Sequence, residues 1–200
     1  MSELFLFDEP PRARRRNRSA GDGFAPRDMV LFLVHLDEPA AASANRLARE
    51  VIGENGFRGG PHSNLHFTLH PIDDFAAVQP WLFDILFQVG DAVNHRRFEV
   101  MCDQLMRWSS EPRGPLVMIP GQGGSELKAV FRQIRAGLDF LAPRLFPKWS
   151  FSPHVTLAHT PMLDRRTIAP IGWTVGEFCL VRSIQAEARH IVLRRWPLRE

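Results

Sequence analysis

Apolar and polar positions alternate most cleanly in two short stretches, Leu65-His66-Phe67-Thr68-Leu69 and Pro153-His154-Val155-Thr156-Leu157. On a strand, successive side chains point to opposite faces. His66 and Thr68 therefore share one face, and Leu65, Phe67 and Leu69 the other. His154 and Thr156 likewise lie opposite Val155 and Leu157. Each predicted strand turns apolar residues toward a core and an imidazole with a hydroxyl toward the open side.

The pattern around these strands predicts the remaining elements. An unbroken apolar run, Met29 to Val34, reads as an opening strand. Asp37-Glu38-Pro39 reads as a helix start with proline in the first turn. Leu47, Val51 and Ile52 recur at helical spacing, the glycines from Gly53 to Gly60 end the run, and Gly59-Gly60-Pro61 breaks the chain before the first motif. A second helix is predicted over Ala76 to Val93, with Val78, Leu82, Ile85, Leu86 and Val89 on one face. Phe98 to Met106 and Leu116 to Ile119 read as strands. Ser125 reads as an N-cap for a helix carrying Leu127, Val130, Phe131, Ile134, Leu138 and Leu141. The second motif strand follows, then strands over Val175 to Ser183 and Ile191 to Arg195. Each motif strand comes after a helix, so the two halves read as weak repeats. The order predicts an α+β domain over residues 28–200 with mainly antiparallel pairing.

Composition narrows the class. An apolar fraction of 44% and a charged fraction of 24% are those of an ordinary globular protein. No apolar run approaches the ~20 residues that span a bilayer. The first residues lack the basic start, apolar stretch and cleavage site of a signal peptide, so a cytoplasmic location and no membrane partner are expected. Two cysteines far apart, Cys102 and Cys179, support neither a disulfide framework nor a cysteine-based metal site. Residues 1–27 read as a disordered basic tail: the cluster Arg12 to Arg18 has no period that would bury it. The net charge of +3 permits phosphate binding without demonstrating it.

The motifs carry chemistry. Histidine changes charge near neutral pH, so two of them from opposing strands can flank one phosphorus, one taking a proton and the other giving one. Two hydroxyls beside them can donate to the non-bridging oxygens as charge builds. A lone His-x-Thr in a strand is common; two copies with the same trailing leucine, 88 residues apart, are not.

At these residues the chain resembles the 2H phosphoesterase superfamily, and within it the LigT-like branch of RNA 2',3'-cyclic phosphodiesterases and 2'-5' RNA ligases. The resemblance covers about residues 29 to 197. It rests on the two motifs, the opening strand, the lead-in Phe151-Ser152-Pro153, and the stretch Trp173 to Ser183. It implies a two-lobed, pseudo-symmetric fold, mainly antiparallel sheets around a central groove with helices outside. It further implies a monomer without cofactor or metal, acting on RNA ends or cyclic nucleotides. His66 would be the general acid and His154 the general base; the residues alone fit either order. Thr68 and Thr156 would bind substrate. His159 stands where relatives usually carry an arginine and would contact phosphate if the strand bulges; strict alternation puts it on the face opposite His154. After the first motif relatives usually read Phe-Leu-Gly, where this chain has His70-Pro71-Ile72.

Two other readings compete. A non-catalytic RNA-binding module of the same fold needs no paired imidazoles, which both motifs retain. His62, His66 and His70 stand at i, i+4, i+8 and would line one face of a helix as metal ligands. The Gly59-Gly60-Pro61 break and the β-favouring run after it oppose that helix.

Overall fold

The run Met29 to Val34 is apolar at every position because its strand is covered on both faces. The computed structural model describes residues 28–53, 64–108, 114–146, 150–160 and 164–200; the N-terminal segment 1–27 and His62 lie outside them. The chain runs β1 (Asp28–His35), α1 (Glu38–Ile52), β2 (His66–Asp74), α2 (Pro80–Asp91), β3 (Phe98–Arg107), β4 (Gly114–Gln122), α3 (Gly124–Leu141), β5 (Val155–Thr160), β6 (Arg166–Val175), β7 (Glu177–Ile184) and β8 (Arg189–Pro197). The strands form one eight-stranded sheet in the order β6-β3-β4-β5-β2-β1-β7-β8, and every neighbouring pair is antiparallel. No helix among the described residues is long and apolar enough to cross a membrane.

The sheet divides into two four-stranded halves with a motif strand at the inner edge of each. The first half is β2-β1-β7-β8 and the second β5-β4-β3-β6. All three helices bury their apolar stripes in one core with Phe32, Phe67, Leu116, Met118 and Val155, so they cover the same face of the sheet. The helices cross between halves: α1 packs against β5 and β6, and α3 against β2 and β4. Ala40, Ala44 and Ala48 line the buried side of α1, and their small side chains let it lie close to the strands. On the opposite face, Leu31, Leu33, Cys179 and Val181 form a second, smaller apolar cluster. The two cysteines are free and buried.

Local chemistry explains most boundaries. Asp37 caps α1 by accepting from the Ala40 amide at 2.8 Å, and Gly53 closes the helix at φ 77°. The second helix starts at Pro80 rather than Ala76. Residues 75–77 form a separate 3-10 turn, and Pro80 occupies the first helical turn, where its missing N–H costs nothing. The cap of α3 is Gly123, not Ser125. Its φ of 81° and its approach to Glu99 and Val100 leave no room for a side chain, and Ser125 instead donates to Glu126 at 2.6 Å. Strand β6 escapes the sequence pattern altogether. It is an edge strand with only Trp173 and Val175 buried, and it contains Pro170, which edges tolerate.

Trp196 closes the core at the β8 end of α2. Its ring stacks on Phe178 at 5.1 Å, and its indole N–H donates to Asp91 at 2.8 Å. A Cβ on Gly90 would stand 2.2 Å from that ring. In an open helix, Gly→Ala gains up to about 1 kcal/mol. Here overpacking, at roughly 1–3 kcal/mol, wins. Gly90→Ala should therefore lower the chemical-denaturation midpoint; a variant more stable than the parent would contradict this packing.

Candidate active site

The two motif strands meet at one register pair, Phe67 opposite Val155, and both side chains are fully buried on the core face. Extending that register one residue each way sets His66 opposite Thr156 and Thr68 opposite His154. All four side chains fall on the other face of the sheet. Directly opposed residues stand about 5 Å apart and diagonal ones about 7–8 Å, so the two imidazoles on the diagonal can bracket a single phosphate. His66, Thr68 and His154 are half-buried, and Thr156 is exposed.

Both imidazoles are anchored alike. His66 donates through Nδ1 to the carbonyl of Asn64 at 2.6 Å, and His154 through Nδ1 to the carbonyl of Ser152 at 2.8 Å. In each case the acceptor lies two residues back. A carbonyl only accepts, so Nδ1 carries the hydrogen and Nε2 is left free in both rings. Burial pushes the proton affinity of both below the ordinary histidine range, and the carbonyl partners oppose that shift. His66 is lowered further by the charge of His154. Protonating one ring thus disfavours protonating the other.

A shared irregularity follows each motif. Between β1 and β2, Leu33 pairs with Thr68 and Phe32 with His70, which leaves Leu69 as an extra residue. Between β4 and β5, Val117 pairs with Thr156 and Leu116 with Ala158, which leaves Leu157 extra. Each bulge shifts the alternation by one. In β5 it carries His159 to the exposed face that holds Thr156, so the strict-alternation reading fails because the strand bulges, one residue earlier than Ala158. In β2 it turns His70 into the core, where it stacks on Phe131 at 6.1 Å and donates to the Pro71 carbonyl at 2.7 Å. The helical metal reading of His62, His66 and His70 loses its premise, since residues 66 and 70 belong to a strand and face opposite ways.

Three further rings adjoin the site, and sequence reading missed them. Trp108 lies 4.1 Å from the ring of His154. His190 lies 4.8 Å from His66, and His35, paired in register with His66, lies 6.4 Å from it. His35 ends β1 and His190 lies at the start of β8; nothing in one sequence signals that those ends converge on residue 66.

A model of the 2'-5' RNA ligase superfamily matches residues 36–187. Among solved structures, Escherichia coli LigT in its apo form matches with a TM-score of 0.70 at 20% identity, covering 88% of this chain and all of LigT. TT0787 of Thermus thermophilus matches at 0.69 and 21%, covering 86% of this chain and 98% of its own. E. coli LigT complexed with 3'-AMP matches at 0.67 and 20%, covering 87% and 99%. No curated protein sequence matches. The fold is thus that of the LigT-like 2H phosphoesterases.

Burial holds His35 and His70 down to about 4 and His190 to about 3, against an ordinary value of 6.5. Between those values the unfolded chain binds more protons than the native one, so acid favours unfolding. The stability from these neutral imidazoles should be complete above about pH 6.5 and lost as the pH falls toward 4. Denaturation midpoints between pH 7.5 and 4 read this, and a flat profile would contradict it.

Proposed function

This chain belongs to the 2'-5' RNA ligase superfamily, and on that premise we propose that it is a metal-independent phosphodiesterase that opens 2',3'-cyclic phosphate ends of RNA or nucleotides. The observation that carries the reading is the doubled motif: two histidines with the same Nδ1 anchor and two threonines on one face, around the Phe67–Val155 pair.

In the hydrolytic direction one Nε2 takes a proton from water. The oxygen attacks phosphorus, the bond to one ribose oxygen breaks on the far side, and the other imidazolium gives that oxygen its proton. Thr68 and Thr156 donate to the non-bridging oxygens, and His159 contacts the phosphate from the β5 side. His66 serves as acid and His154 as base, the order the resemblance implies. With a 5'-hydroxyl in place of water, the same groups open the cyclic phosphate by breaking its bond to the 3'-oxygen, which takes the proton, and a 2'-5' linkage forms, so ligation needs no further residue. The substrate we infer is an RNA end or a cyclic nucleotide.

His66→Ala and His154→Ala should each lower turnover of a nucleoside 2',3'-cyclic phosphate by roughly 10²–10⁴. Thr68→Ala and Thr156→Ala should cost on the order of 10–100-fold, since each removes one neutral donor. If both histidine variants keep parental turnover while still binding RNA, the chain is a binding module. Turnover should also persist in EDTA, because protons rather than a Lewis acid drive the step. Loss on chelation with rescue by zinc would refute that part.

A further inference from the structure

The two motif histidines share an anchor but not their neighbours. His154 has Trp108 at its side, whereas His66 is enclosed by His190 and His35. The ring of His190 stands nearly edge-on to that of His66, at 68° and 4.8 Å. His35 and His190 share a hydrogen bond of 2.9 Å between Nε2 of His35 and Nδ1 of His190. Asn64, whose carbonyl anchors His66, donates through its side-chain amide to the Ala188 carbonyl in the turn before β8. The β7–β8 hairpin is therefore tied to the residues leading into β2 through Asn64 and to β1 through His35, with the His190 ring against His66.

We propose that His190, held by His35, is a positioning residue for the imidazole of His66. This rests on the reading of His66 as a proton carrier. One hydrogen bond at Nδ1 fixes one edge of a ring whose χ2 rotation is otherwise soft. A second ring packed against it fixes the plane and so aims Nε2 at the groove. His190 cannot perform this while rotating freely itself, and the His35 bond fixes its plane in turn. Small errors in aim are costly at this step. His190 also keeps water from one side of His66. The charged and titratable groups around the cluster are His154 ahead of β5, His35 on β1, and Arg195 on β8, which is itself paired with Glu177.

The test uses the full chain carrying His190→Ala, His190→Phe or His35→Gln. Two readouts apply: kinetics on a nucleoside 2',3'-cyclic phosphate, and the titration of His66 followed by imidazole NMR. His190→Ala should lower kcat about 10–100-fold with KM within about twofold. Opened to water, His66 should titrate closer to 6.5 in that variant, and the limb of the pH–rate profile that disappears in His66→Ala should move to higher pH. His190→Phe keeps a ring in place, so it should recover most of the turnover and leave the His66 titration near that of the parent. His35→Gln should fall between the two. A folded His190→Ala protein with parental kcat and an unmoved His66 titration would overturn the proposal. So would a His190→Phe protein as impaired as His190→Ala. If the parent turns over no cyclic phosphate yet the titration still moves, the proposed function fails and the positioning contact stands.

Discussion

One pair of core residues, Phe67 and Val155, joins the two halves of the sheet. Every distance in the site depends on it. Its register decides which hydroxyl faces which imidazole, and its burial decides that all four polar side chains emerge on the open face. A slip of either strand by one residue would send its histidine into the core and its leucines into the groove. The pair is backed by the ring of Trp173, stacked on Phe67 at 5.6 Å, and by Met118, which pairs with Val155 from β4. The apolar residues that alternate with the histidines thus align the two imidazoles. In this fold, core packing and site geometry are set by the same two strands.

What the sequence made legible was whatever obeyed a local period. The motif faces followed from a period of two, the opening strand from an unbroken apolar run, and α1 from a cap, a proline and a closing glycine. Other features lay beyond any period. The bulge at Leu157 is imposed by pairing with β4, so the face of His159 depended on a partner strand 40 residues away. Strand β6 exists because β3 offers it an edge, not because its own residues alternate. The true cap of α3 is a glycine chosen by its approach to β3, and the more obvious serine sits two residues inside the helix. His35 and His190 each read as an ordinary strand-end histidine until the hairpin places them beside His66.

The repeat is closer in backbone than in side chains. Both motif strands place a histidine anchored two residues back, a threonine, and a bulged leucine in the same positions. Past the bulge they diverge: His70 is buried where its counterpart Ala158 is small, and Pro71 stands where His159 reaches the open face. A symmetric frame therefore holds an asymmetric site, which fits the proposed division into proton donor and proton acceptor. The neighbours extend the asymmetry, with an indole beside one imidazole and two further imidazoles beside the other.

The exchange of helices between the halves bears on how the chain acquires its structure. Strands β5 and β6 are covered by a helix that precedes β2, and β2 by a helix that follows β4. Neither half can complete its own core, so neither is a separate folding unit despite the repeat. Strand β1 also waits for β7, near the other end of the chain, before its central hydrogen bonds are made. Closing so many long-range contacts together points to slow, all-or-none folding with high contact order. A chain released from the ribosome only as far as β6 would expose the apolar flank of β1, a surface that invites association until β7 arrives.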